Sequence, residues 1–264
     1  ADRVLALFPF EPPIYEKAGI AATYVGHPLA DEMPLAPDRA EARAQLRLPE
    51  SATAVALLPG SRRGELEAHA DLFIDTARRL AERRPGTRFF VPLATRETRD
   101  YFESRLYARE AQGLDLTILF GHARLAFQAA DAALVASGTA TLEGALARCP
   151  MVITYRVPAL TYRLMMRKAL LPWVGLPNIL AGEFIVPELL QEHATPVNLE
   201  QALGNWLDHK AARERLQARY ATIHQQLRCG NDERVAHALP PWLAPGTSHA
   251  TPATVGSSVA AVRG

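Results

Sequence analysis

The chain has 264 residues, of which 48% are hydrophobic and 22% charged, and its formal net charge is +1. That length suits one large domain or two ordinary ones and can bury a core without disulfides or a structural metal. The composition excludes collagen, wholesale disorder and a small disulfide scaffold, and the near-neutral charge supplies no general field for binding polyanions.

The chain opens almost at once on an apolar run, ADRVLALFPFEPP, so it is expected to lack an N-terminal region. Short apolar runs bounded by Pro, Gly or Ser predict strands at Val4–Phe8, Thr23–Val25, Ala54–Leu58, Arg88–Val91, Leu116–Leu119, Ala132–Val135 and Met151–Tyr155. Helical patterns fall at Glu65–Arg84, Thr95–Ala111, Leu125–Ala130 and Thr139–Ala147. Nearly continuous apolar strands are usually covered on both faces, as in parallel sheets. Their alternation with helices predicts an α/β fold, a Rossmann-like doubly wound parallel sheet with trailing helices. Between the opening strand–helix–strand piece and this main unit lies Gly26–Ala40, proline-rich and without helical period, which reads as a connection.

After Tyr155 the pattern changes. Pro158–Val174 reads as a helix that is both apolar and basic, carrying Met165, Met166 and Trp173 beside Arg163 and Arg167. It invites a membrane-surface reading, although packing within the protein is the commoner use of such a helix. A polar loop is expected at Leu176–Glu183, then helices near Pro187–Gln191, Leu199–Leu207, Ala211–Leu227 and Asp232–Leu239. The tail from Pro245 is Ser, Thr, Ala, Pro and Gly with little charge, a composition expected to stay disordered. Cys149 and Cys229 lack a partner motif, which fits free thiols in a reducing compartment. No apolar run approaches the roughly 20 residues that span a bilayer.

Two turns carry the chemistry. In LLPGSRRGEL (Leu57–Leu66) a strand ends, a Pro-Gly-Ser turn follows and a helix begins. Ligands of open α/β sheets sit at the carboxyl ends of strands where strand order reverses. Gly60 lets backbone approach a ligand, Ser61 can cap or donate, and Arg62 offers a forked pair of donors to a phosphate. A plain strand-to-helix turn with a solvated arginine explains the same residues. In ASGTATLEGALA (Ala136–Ala147), Ser137, Gly138, Thr139 and Ala140 place free amides after a strand, and Glu143 one turn on can accept both hydroxyls of a ribose. An N-cap followed by a first-turn glutamate is the bland alternative. Two such turns on one sheet edge would make a diphosphate cradle.

The loop at Phe120–His122 can offer backbone to a base. Asn178, in an otherwise apolar LPNILAG, can hold a sugar hydroxyl or satisfy turn backbone. HExxH, CxxC, GxSxG and DxD patterns are absent, so no metal site and no cofactor is expected. Basic residues alternate with acidic ones on helix faces, which argues against nucleic acid as a partner.

Taken in order, FPFEPPIYEKAGI, VGHPLADEMPL, LLPGSR, ASGTATLE, ARCPMVITYR, LPNILAGEFIVPELLQE and HQQLRCGNDE resemble the lipid-A-disaccharide synthase family, inverting glycosyltransferases of the GT-B type. The resemblance implies the C-terminal half of a GT-B fold: residues 1–48 as a remnant of the acceptor domain plus linker, 49–227 as the UDP-sugar domain, 228–243 as a helix returning toward the acceptor domain, and 244–264 as tail. It implies metal-independent transfer of 2,3-diacylglucosamine from UDP to 2,3-diacylglucosamine 1-phosphate (lipid X), at the cytoplasmic face of the inner membrane. It also implies a homodimer with exchanged C-terminal segments. Arg62 and Asn178 are then catalytic, while Gly60, Ser61, Gly121, Ser137, Gly138, Thr139, Ala140 and Glu143 line UDP, with Gly121 against the uracil. A non-catalytic UDP-sugar-binding fragment, a UDP-sugar epimerase and another GT-B transferase with a lipid-linked acceptor stand as alternatives.

Overall fold

The computed structural model describes residues 3–157 and 172–239. The stretch Pro158–Val174 up to position 171, and the tail, lie outside the described residues. A small unit comes first: β1 (Arg3–Ala6) and β2 (Ala21–Tyr24) pair in parallel across α1 (Pro12–Lys17). The proline-rich connection is more regular than its sequence suggests. It holds α2 (Pro28–Glu32), whose first amides are met by His27 Nδ1 accepting from Leu29 N–H at 3.2 Å, and α3 (Arg39–Gln45), capped by Asp38. Both helices are too short for a 3.6-residue period to show.

The main sheet is built from β3 (Ala54–Leu58), β4 (Arg88–Leu93), β5 (Leu116–Phe120), β6 (Ala132–Ala136), β7 (Met151–Tyr155) and β8 (Glu188–Leu190), all parallel, in the order β5-β4-β3-β6-β7-β8. Helices α4 (Arg63–Arg83), α5 (Arg96–Ala108), α6 (Ala123–Ala129) and α7 (Ala140–Leu146) connect its strands. This is the doubly wound Rossmann-like sheet the alternation predicts. Every residue of β3 and β6 is buried, because each strand faces helices on both sides. Val55, Leu57, Leu134 and Ala136 belong to one core with Leu66, Ala70, Phe73, Ala77 and Leu80 of α4. Their neighbours Ala54, Ala56, Ala133 and Val135 belong to the opposite core, with Phe127, Leu142 and Leu146. The alternating assignment is the pleat at work, and the 4-3-4-3 spacing along α4 is the stripe that a core-facing helix needs.

Two elements differ from the expectation beyond Gly175. Leu176–Glu183 is not a loop: Leu176–Ala181 forms α8, six residues started by Pro177 and ended by Gly182 in the left-handed conformation. Pro187–Gln191 is not helical: Glu188–Leu190 is β8, an edge strand in register with β7 (Ile153 opposite Glu188). Three residues carry no period, so only the neighbouring strand selects the extended form. Helices α9 (Pro196–Asp208) and α10 (Lys210–Leu227) then close the two faces, α9 over α4 and α10 over α7 and α8.

The chain finally returns to its start. Tyr24 Oη donates to Gln226 O at 2.8 Å, and the Asp31 carboxylate accepts from the amides of Gly230 and Asn231 as α11 (Asn231–Ala238) begins. Asn231 Nδ2 donates to Gly26 O at 2.9 Å. VGHPLADE and LRCGNDE are therefore two strokes of one crossing point. No helix among the described residues is long and apolar enough to cross a membrane.

Candidate functional site

Strand order reverses between β3 and β6, the position where open α/β sheets place their ligands. The two strands are hydrogen-bonded neighbours, with Leu58 opposite Val135, and such neighbours lie about 4.8 Å apart. Immediately beyond them the chain forms the Pro59–Arg62 corner and the Ser137–Thr139 corner. The fold thus brings together the two turns singled out in the sequence.

The first corner is already internally occupied. Glu65, one turn into α4, folds back so that its Oε2 accepts from Ser61 N–H at 2.7 Å and Arg62 N–H at 3.3 Å. Gly60 is required for that approach: its φ is +134°, and a Cβ there would stand 2.4 Å from Glu65 Cβ. The amides of Ser61 and Arg62 thus meet a glutamate of the same chain, and Gly60 makes room for it. Arg62 differs. Its side chain is exposed, and the guanidinium has no hydrogen-bond or ion-pair partner among the described residues. It borders a cavity of about 520 Å³ shared with Ala68, His69, Tyr155 and Val157.

The second corner is open. Ser137 N–H is held by Thr154 O at 2.9 Å, but the amides of Gly138, Thr139 and Ala140 donate to no described residue. Gly138 has φ +146°, a conformation a side chain would resist. Glu143 is half-buried and makes no hydrogen bond or ion pair among the described residues. Desolvation raises its pKa above the ordinary carboxylate value, with Arg124 opposing. A carboxylate held this way is ready for external donors. Gly121 directly follows the edge strand β5, with φ +71° and its amide donating to Leu93 O. It is three strand steps from β6, about 14 Å, a separation that suits the two ends of a nucleotide rather than one group.

Asn178 does not reach this surface. It is wholly buried, and its amide is saturated: Oδ1 accepts from Ile185 N–H at 2.8 Å and Val186 N–H at 2.9 Å, while Nδ2 donates to Val186 O at 3.0 Å and Glu188 Oε1 at 2.8 Å. All four bonds are to its own surroundings, the turn-satisfying use of the same amide.

His69 carries no motif that would single it out in the sequence. It is 1% exposed, its Nδ1–H donates to Glu65 O and its Nε2 accepts from Arg156 N–H at 3.0 Å. Burial lowers its pKa, so the ring is a neutral spacer that ties α4 to the end of β7.

The fold agrees with what the chain is similar to. A family model described as lipid-A-disaccharide synthetase matches residues 1–239. A lipid-A-disaccharide synthase from Aromatoleum aromaticum is 56% identical over 242 residues, covering 92% of this chain and 62% of the relative. Another from Methylobacillus flagellatus is 52% identical over 238 residues, covering 90% and 63%. The chain therefore spans about three-fifths of the length of the curated relatives it matches. Among solved structures, the UDP-GlcNAc 2-epimerase of Neisseria meningitidis bound to UDP-GlcNAc superposes with TM-score 0.63 at 12% identity, covering 90% of this chain and 61% of that one. WaaG, a glycosyltransferase involved in lipopolysaccharide biosynthesis, gives 0.59 at 15% identity, covering 89% and 61%. At those identities the likeness shows the fold alone.

Proposed function

The chain belongs to the lipid-A-disaccharide synthetase family, and on that premise we propose that it is the nucleotide-binding part of a glycosyltransferase. The reaction joins 2,3-diacylglucosamine, delivered on UDP, to the 6-hydroxyl of 2,3-diacylglucosamine 1-phosphate and releases UDP. The observation that carries this reading is the adjacency of the two corners at the point of strand reversal, with Arg62 on one side and three amides on the other that have no partner among the described residues.

In this mechanism the acceptor hydroxyl attacks the anomeric carbon from the face opposite UDP, and the configuration inverts. Negative charge grows on the departing diphosphate. Arg62 approaches it from β3, and the amides of Gly138, Thr139 and Ala140 from β6. Donors fixed before charge develops need no reorganisation when it does, which is why such groups supply several kcal/mol of transition-state stabilisation. Glu143 takes the ribose hydroxyls and Gly121 lies against the uracil. Glu65 keeps the Arg62 backbone in place, and its charge limits how closely the diphosphate can approach the first corner, favouring the second. Asn178 acts from beneath the surface.

Both sugars carry acyl chains that reside in a bilayer, so the reading includes a peripheral position on the inner membrane surface, on the cytoplasmic side. Exchange of C-terminal segments between two protomers belongs to the same proposal. In the single chain α10 and α11 dock on their own body, and the identical contacts can be made in trans. Titration of UDP into this chain tests the nucleotide site. Transfer of labelled sugar to lipid X by the full-length enzyme tests the reaction. UDP binding without transfer in the full-length protein would favour a UDP-sugar-binding module instead.

A further inference from the structure

The buried Asn178 and its partner Glu188 form a device that reaches the second corner. Glu188 sits on edge strand β8 and has no Lys or Arg partner among the described residues. Its carboxylate instead gathers three N–H donors: Oε2 accepts from Val174 N–H at 3.0 Å, and Oε1 from Gly175 N–H at 3.0 Å and Asn178 Nδ2 at 2.8 Å. Those bonds pull the Val174–Leu176 backbone down across β7. The fit is close, since a Cβ on Gly175 would stand 2.3 Å from Ile153 Cδ1 and 3.1 Å from Glu188 Oε1.

The strap so formed touches the corner twice. Val174 O accepts from Ser137 Oγ at 3.3 Å, and Leu176 N–H donates to Thr141 Oγ1 at 3.4 Å. Thr141 Oγ1 in turn donates to Gly138 O at 2.7 Å. Gly138 O, which also accepts from Thr141 N–H at 3.1 Å, shares one peptide plane with the amide of Thr139, so what fixes that carbonyl fixes the direction of the amide. A carboxylate is suited to this task, because it only accepts and can hold several backbone donors at once.

We propose that Glu188 is a positioning residue: with Asn178 it clamps the Val174–Leu176 strap, and through Ser137 and Thr141 it sets the direction of the Gly138–Ala140 amides. It touches no substrate. This rests on the reading of the second corner as a diphosphate site, and it gives the saturated, buried Asn178 a route to a surface it does not reach.

The test compares Glu188→Gln and Thr141→Val with the parent chain by two readouts. The first is the ¹⁵N chemical shifts of Gly138, Thr139 and Ala140 without ligand. The second is calorimetric affinity for UDP and for UMP, after thermal melts have shown both variants folded. A carboxamide turns one acceptor into a donor that faces donors, so Glu188→Gln should shift all three amides. It should also weaken UDP about tenfold, the scale of one hydrogen bond to a charged group, while UMP changes little. Thr141→Val breaks the link at the corner instead, and the two losses should not add in the double variant. Unmoved amide shifts in folded Glu188→Gln protein would overturn the clamp whatever UDP does. Equal weakening of UDP and UMP would also overturn it, as the mark of general loosening. Failure of the parent chain to bind UDP would instead count against the diphosphate reading, leaving the amide shifts to decide the clamp.

Discussion

Leu58 and Val135 face each other across adjacent parallel strands, the last paired residues before two turns that leave the sheet in opposite directions. The turn after Leu58 starts α4 over one core, and the turn after Val135 starts α7 over the other. The crevice between them lies beside both turns; under the proposed reading a ligand there would meet Arg62 from one side and, from the other, the amides of Gly138, Thr139 and Ala140, which donate to no described residue.

Arg62 is the one cationic side chain of the first corner whose charge is uncommitted among the described residues. Its neighbour Arg63 is engaged with Glu67 at 2.9 Å and lies over the Tyr101 ring. Arg62→Ala in the full-length enzyme should lower kcat on the order of 100- to 1,000-fold, with a much smaller loss of UDP affinity. Steady-state kinetics beside UDP titration separates the two effects. Near-normal turnover would remove Arg62 from the mechanism.

Glu143 should show opposed effects on stability and binding. Its pKa is raised by desolvation, so the folded chain binds its proton more readily than the unfolded chain does. The penalty for the ionised form is absent below the ordinary 4.5 and grows as pH rises through the folded-state value. Glu143→Gln removes it, and the melting temperature at pH 7.5 should rise slightly. The same substitution should weaken UDP about tenfold, as expected for hydrogen bonds to a charged acceptor. A variant that binds UDP as tightly as the parent would contradict the ribose role.

Two buried histidines and one half-buried one should weaken the fold on the acid side. His27, His69 and His224 are each held below the ordinary 6.5, with burial the largest cause. Above 6.5 both folded and unfolded chains are neutral at these rings, and the contribution is complete. As pH falls below that value the unfolded chain takes up protons first, so stability declines until the depressed folded-state values are passed. Urea midpoints measured from about pH 8 to pH 5 should fall on the acid side of 6.5. A flat profile would mean that the rings accept protons in place.

The crossing point tolerates no side chain at Gly26. Its φ is +82°, and a Cβ would lie 2.7 Å from Cys229 Cβ and 3.0 Å from Leu227 O. Gly26→Ala should cost about 2 kcal/mol or more. Gly182→Ala provides the comparison, with φ +67° but nothing within 4 Å, and should cost about 1 kcal/mol. Equal losses from both variants would show that packing at the crossing contributes nothing.

Much of this was legible in the residues. The bounds of β3 and β7 follow from short, mostly apolar runs, and the two corners from the glycine and serine that follow β3 and β6. What stayed hidden has a common cause. Strand β8 and helix α8 are too short for periodicity, and their form comes from β7 and from the Asn178 network. Glu65 and Glu188 read as ordinary surface acids, because nothing in a sequence shows that a carboxylate turns back onto backbone amides. Asn178 stood out correctly as an amide in an apolar setting. Whether such a group faces a ligand or its own turn depends on Ile185 and Val186, seven and eight residues further along the chain.

A crystal structure of this chain with UDP tests the central claim most directly. The account predicts one pyrophosphate that accepts from the Arg62 guanidinium and from at least two of the Gly138, Thr139 and Ala140 amides, with the ribose on Glu143. A pyrophosphate that meets only one corner, or a nucleotide seated elsewhere on the sheet, would contradict it.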